Sequence, residues 1–194
     1  MRPQNPFTWA SGWKSPIYCD NRITLSFPAV RTYIRQELCS AILANFDKPD
    51  VIAGVATGGV PQGVLVAQEL GIPFIYIRSA SKEHGMGNLI EGLYEEGQKV
   101  VVIEDLISTG GSSLKAVESL REAGLIVKGL ACIFTYGFSL AERNFEKAEC
   151  PYITLTDYSV LIEQALSANY INEEDLVELR KWKENPAKWN SPEK

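Results

Sequence analysis

The sequence predicts an α/β fold with a mostly parallel central sheet flanked by helices. Short β-rich runs alternate with helix-period stretches along most of the chain. Several of those runs are apolar without polar alternation, as strands covered on both faces must be. The chain has 194 residues, 45% hydrophobic and 22% charged, which is enough to bury a full core in one domain.

The elements follow in chain order. In SFPAVRTYIRQELCSAILANF (26 to 46), Val30, Ile34, Leu38 and Ile42 fall on one stripe, and Ser26 and Pro28 mark the start of a helix. VIAGV (51 to 55) and FIYIR (74 to 78) read as strands, with a helix over 61 to 70 between them. VVVIE (100 to 104) and IVKGLACIF (126 to 134) are two more strands, separated by a helix over 112 to 123. After Pro151 the pattern becomes one short strand and two helices, then a polar, Pro-broken tail. Strands joined by helices favour a parallel sheet.

Composition excludes several function classes. A formal charge of -5 argues against general affinity for nucleic acid or anionic lipid, so the expected partner is a small molecule. The opening MRPQNPFTWASGWKS lacks the apolar core of a signal peptide, and the apolar stretch Val51 to Ile77 is cut by Gly, Pro and polar residues. The expectation is a soluble cytoplasmic protein without a membrane segment. Cys19, Cys39, Cys132 and Cys150 lie far apart, with no CxxC and a single histidine, which suggests idle thiols rather than a zinc site or disulfide framework.

The chemistry concentrates in VVVIEDLISTGGSS (100 to 113). Ser108 to Ser113 offer close backbone approach, several N-H groups, hydroxyls and the positive end of the next helix, a set that suits a phosphate dianion. The GxxxxGK[ST] pattern of a nucleoside-triphosphate loop is absent. Glu104 and Asp105, at the mouth of the loop, suit sugar hydroxyls or the waters of a divalent cation. The bland alternative is a buried strand ending in a turn, with Ser112 or Ser113 capping the helix and the acids merely solvated.

The full string resembles the phosphoribosyl diphosphate (PRPP) motif of the type I phosphoribosyltransferases. That resemblance implies their fold, with a small N-terminal hood, and contacts from Glu104 and Asp105 to the ribose hydroxyls and Mg2+-bound waters. It also implies that Leu106, Ile107, Ser108, Thr109, Gly110, Gly111 and Ser112 line the PRPP site, with Thr109 to Ser112 holding the 5-phosphate and Ser108 touching the base. SASKEHGMGNLIEG (79 to 92) reads by itself as a Gly-rich loop, expected to be mobile without ligand. With Arg78 before it, the pattern R-x-x-x-K-x-H-G, then GN-x-x-EG, resembles the catalytic loop of orotate phosphoribosyltransferases. Arg78, Lys82 and His84 would then meet the pyrophosphate, and the loop would be shared across a homodimer. FTWASGWKSPIYCDNR (7 to 22) resembles the hood of the same subfamily, and VATGGVPQG (55 to 63), with Thr57, its short pyrophosphate loop. The resemblance runs from Phe7 to about Ile171.

It implies a single domain, with a hood over about 1 to 27, a core over about 28 to 155 and C-terminal helices over about 156 to 194. The implied reaction is orotate plus PRPP to orotidine 5'-phosphate plus pyrophosphate with Mg2+, and Lys82, His84 and Asp105 as the catalytic residues. This chain carries Ala10, Gly58 and Ser79 where some members carry basic residues, so Lys14 and Arg22 are the substitute substrate contacts. One rival is a transferase for a purine base. The other is a PRPP-sensing regulator, for which no basic nucleic-acid-binding helix is evident.

Overall fold

The computed structural model describes residues 1, 5–9, 12–78 and 89–189. Ala10, Ser79, Lys82 and His84, together with most of the 79–92 loop, lie outside the described residues. The chain forms two compact units, one of residues 21–156 and one joining 1–20 to 157–194.

The larger unit is built on a sheet. Its strands are β3 (Val51–Val55), β4 (Phe74–Ile77), β5 (Ile90–Glu91), β6 (Lys99–Ile107), β7 (Ile126–Thr135) and β8 (Tyr152–Asp157), in spatial order β5-β4-β3-β6-β7-β8. β4, β3, β6 and β7 run parallel, and β5 is an antiparallel edge. Every residue of β3 is buried. Val51, Ala53, Val55, Val100 and Val102 share one core cluster with Ala116, Val117 and Leu120, while the alternate residues Ile52, Val101 and Ile103 are fully buried as well. Because successive side chains point to opposite faces, both faces of the sheet are covered.

The covering helices are α1 (Pro28–Phe46), α2 (Gly59–Leu70), α3 (Gly111–Glu122) and α4 (Ser139–Lys147). α1 buries Ile34, Leu38 and Ile42 of the predicted stripe, whereas Val30 is exposed. Its start differs from expectation: Ser26 closes a 3-10 helix (Asn21–Ser26), and Phe27 precedes Pro28 without a side-chain cap. Proline at the first helical position suffices, since its missing N-H would have had no partner there. β6 also outruns its expected end at Glu104, because β7 continues to pair through Glu104↔Cys132 and Leu106↔Phe134 to Ile107↔Thr135. The acidic pair therefore belongs to the strand rather than to the loop. α4 was not legible in the pattern, having only Ala141 and Phe145 buried.

The smaller unit joins a hairpin of β1 (Phe7–Thr8) and β2 (Lys14–Ser15) to α5 (Tyr158–Ser167) and α6 (Glu173–Glu184). Asp157 caps α5 by accepting from the Ser159 and Val160 N-H groups, and Asn172 and Asp175 form a capping box on α6. Trp182 is fully buried. Its Nε1 donates to the Lys14 carbonyl at 3.0 Å, and Trp9 meets it edge-on at 5.5 Å, so one side chain ties the hairpin to the helices. Trp182→Ala is expected to cost about 3–5 kcal/mol, read as a lower urea midpoint.

No helix among the described residues is long and apolar enough to cross a membrane. All four cysteines are free, and burial pushes the Cys39 thiol up to about 11.

Candidate active site at the carboxyl ends of β3 and β6

Two loops leave the same end of the sheet, because β3 and β6 are parallel neighbours. After β6 the chain passes through Ser108–Gly110 into α3. Gly110 caps that helix with φ 81 and ψ -2, and no side chain bonds the first turn. A Cβ on Gly110 would meet the Phe145 ring at 2.8 Å, so both the backbone angle and the space demand glycine. The first helical bond runs from Leu114 N-H to the Gly110 carbonyl, leaving the N-H groups of Gly111, Ser112 and Ser113 without intrahelical acceptors. Gly111 and Ser112 are exposed, and the first turn carries no acid. Such a helix start holds an anion through N-H groups and the helix dipole together.

The acidic pair lies directly beneath. Glu104 is buried, and its carboxylate accepts from the Asp105 N-H at 3.0 Å and from the Ser113 hydroxyl at 3.1 Å. The serine that might have capped α3 is thus turned toward the strand. Burial, followed by the charge of Asp105 and a hydrogen bond with its side chain, pushes Glu104 up from its ordinary 4.5 to about 8. Asp105, only partly buried, is the accessible carboxyl of the pair.

A folded-state pKa above the unfolded one means that the native chain binds the extra proton between the two values. The Glu104 contribution to stability is full below about 4.5 and is lost as pH rises through about 8. Glu104→Gln is expected to remove this slope, on the order of several kcal/mol. Urea midpoints of both proteins at acidic and alkaline pH check it; parallel profiles would mean that Glu104 is not the titrating group.

After β3 the loop Ala56–Gly58 enters α2, with a cis peptide between Ala56 and Thr57. A Cβ on Gly58 would occupy the place of the Asp105 carboxylate, and one on Gly59 would collide with the Ile103 carbonyl. Two glycines thus let this loop lie against β6 at the acids. The absence of a basic side chain at position 58 has a local physical reason in this chain. From the 3-10 helix, Asn21 Nδ2 donates to the Asp105 carbonyl at 2.6 Å.

The anticipated residues distribute as follows. Glu104 to Ser112 form one continuous strand, loop and helix start, and Thr57 stands exposed in the loop whose Gly58 meets Asp105. Arg22 is exposed on the 3-10 helix beside Asn21. Arg78, just beyond β4, sets Nη1 3.5 Å from Glu91 Oε1 on the edge strand. Lys14 belongs to the smaller unit, where its Nζ donates to Thr8 Oγ1 at 2.8 Å. Lys82 and His84 lie outside the described residues. Sequence reasoning missed Asn21 and Asn144, whose Nδ2 donates to the Thr109 carbonyl at 2.9 Å, while Ser113, anticipated in the loop or as a cap, bonds Glu104 instead. Asn21 stood inside a recognised string, between Asp20 and Arg22, and Asn144 stood in none.

Residues 28–163 match the model of the phosphoribosyl transferase domain family. An orotate phosphoribosyltransferase of Bacteroides fragilis is 54% identical over 191 residues, 98% of this chain and 90% of the relative. Among solved structures, the orotate phosphoribosyltransferase of Aeropyrum pernix is 26% identical with TM-score 0.76, covering 87% of this chain and 92% of that one. The UMP synthase of Leishmania donovani is 28% identical with TM-score 0.79; the match covers 93% of this chain and 38% of that longer one.

Proposed function

We infer the reaction from kinship: this chain belongs to the orotate phosphoribosyltransferases, and it transfers the phosphoribosyl group of PRPP to orotate, giving orotidine 5'-phosphate and pyrophosphate in pyrimidine nucleotide synthesis. The observation that best supports this chemistry is the open start of α3 directly after Glu104 and Asp105 on one strand. A phosphate at the helix start then leaves the sugar beside the carboxyls.

In the reaction the anomeric carbon loses pyrophosphate as the orotate nitrogen attacks, and positive charge builds on the ribose. The protein's work is positioning and electrostatics. Thr109, Gly110, Gly111 and Ser112 hold the 5-phosphate, Leu106 lines the approach and Ser108 contacts orotate, whereas Ile107, expected beside them, is fully buried in the core. Asp105, with Glu104 buried behind it, accepts hydrogen bonds from the ribose hydroxyls. Arg78, Lys82 and His84 balance the leaving pyrophosphate, with His84 donating a hydrogen bond to it. Lys14, Arg22 and Thr57 make the lesser substrate contacts.

Among the described residues no group of three or more His, Cys, Asp and Glu could hold a bare metal ion. One half-accessible carboxyl above a buried one fits a hydrated Mg2+ that arrives on PRPP, touched by Asp105 through water. When bound, that ion supplies charge neutralisation for the departing pyrophosphate.

The chain acts as one cytoplasmic phosphoribosyltransferase domain and as a homodimer, each site taking its cradle from one subunit and Lys82 from the other. Lys82→Ala and Asp105→Asn homodimers are each expected to be nearly inactive. Random re-pairing makes about half heterodimers, each with one intact site, so about a quarter of wild-type activity returns. Heterodimers that recover nothing would refute sharing without touching the transferase assignment. The assignment itself is tested by following orotate absorbance with PRPP and Mg2+, beside a panel of purine bases. Loss of a purine in place of orotate would overturn it.

A further inference from the structure

The Thr109–Gly110 peptide is held from behind by α4. Asn144 donates its side-chain N-H to the Thr109 carbonyl at 2.9 Å. The next residue, Phe145, lays its ring 2.8 Å from where a Gly110 Cβ would stand. In a planar trans peptide the carbonyl and the following N-H point in opposite directions. Drawing the Thr109 oxygen toward α4 therefore turns the Gly110 N-H away from α4. A carbonyl that already accepts a hydrogen bond also polarises its peptide, which makes that N-H a stronger donor.

We propose that Asn144 is a positioning residue for the phosphate cradle: by holding the Thr109 carbonyl it aims the Gly110 N-H at the 5-phosphate of PRPP. This rests on the phosphoribosyl transfer described above. It gives α4 a part in substrate binding although none of its side chains need touch the substrate. Phe145, from the same helix, fills the space that a side chain at position 110 would need, and the hydrogen bond from Asn144 sets the direction of the peptide. The lone side-chain amide of α4 is thereby explained.

The test compares Asn144→Asp and Asn144→Ala with wild type. Asn144→Asp keeps the shape but turns an acceptor toward the carbonyl, and Asn144→Ala removes the donor at a half-buried helix position that alanine suits. The Gly110 N-H meets the same phosphate before and during reaction, so its loss raises KM for PRPP and leaves kcat near wild type. The expected rise is about tenfold, as for one hydrogen bond to a charged group. KM for orotate is expected to stay within about twofold. Orotidine 5'-phosphate should bind more weakly to the variants, whereas orotidine, lacking the phosphate, should bind as to wild type. A general weakening of the fold would raise both KM values together, and that result overturns the proposal. Unchanged KM for PRPP in either folded variant overturns it too. Wild-type protein that consumes no orotate would instead remove the reading on which it rests.

Discussion

Asp105→Asn lowers kcat/KM for PRPP by about a hundredfold while leaving the unfolding midpoint close to wild type, the scale expected when a charge-assisted hydrogen bond to substrate is lost. The fold survives because the substitution spares what Asp105 contributes to it. Its N-H still donates to Glu104, its carbonyl still accepts from Asn21, and an amide fills the space over Gly58 as a carboxylate does. The ribose hydroxyls, however, meet an amide that offers one acceptor oxygen and a donor in place of two acceptors. A second readout comes from the neighbour. The charge of Asp105 is one cause of the raised Glu104 pKa, so Glu104 should titrate lower in this variant. Wild-type affinity for PRPP and wild-type turnover in a folded Asp105→Asn protein would remove Asp105 from the site.

Gly59→Ala is expected to be the most damaging single methyl in the region, costing about 3 kcal/mol, the upper end for overpacking a well-filled core. The obstacle is the carbonyl of Ile103 in the sheet centre, which cannot move without disturbing both β3 and β7. The start of α2 must retreat, and Gly58 leaves Asp105 with it. Against a typical net stability of about 5–15 kcal/mol this is a large share. Gly111→Ala makes the control, since its Cβ would find only Thr109 Oγ1, at 3.9 Å. Its midpoint in urea should match wild type within about 0.5 kcal/mol. Equal midpoints for the two variants would show that α2 can give way freely.

The sheet and the glycine turn into α3 were legible because their information is local. Runs such as Val51–Val55 and Val100–Ile103 announce buried strands, and Gly110 and Gly111 mark a turn that feeds a helix. What the sequence hid depends on distant partners. Glu104 and Asp105 look like a strand's end, yet Ser113 satisfies Glu104 from the next helix and β7 keeps the ladder going. Asn21 reaches the Asp105 carbonyl across 84 positions, and no local pattern can announce such a pairing. α4 offered only Leu140, Ala141 and Phe145 to an apolar period, too few to outline a helix. Lys82 and His84 rest on the resemblance of the loop sequence alone.

The placement of β6 between β3 and β7 also bears on how the chain is made. The ribosome delivers β3 and β4 first, and they can pair at once, but the second edge of β3 stays open until β6 emerges. From Ile77 to Ile107 is 107 - 77 = 30 residues. At about 5–20 residues per second, that interval lasts about 1.5–6 s. During it an apolar strand with a bare edge is open to a second nascent chain. In that interval α2, already synthesised, is the cover available to β3. A change that loosens α2, such as Gly59→Ala, should therefore depress the yield of folded protein in growing cells more than its equilibrium cost implies.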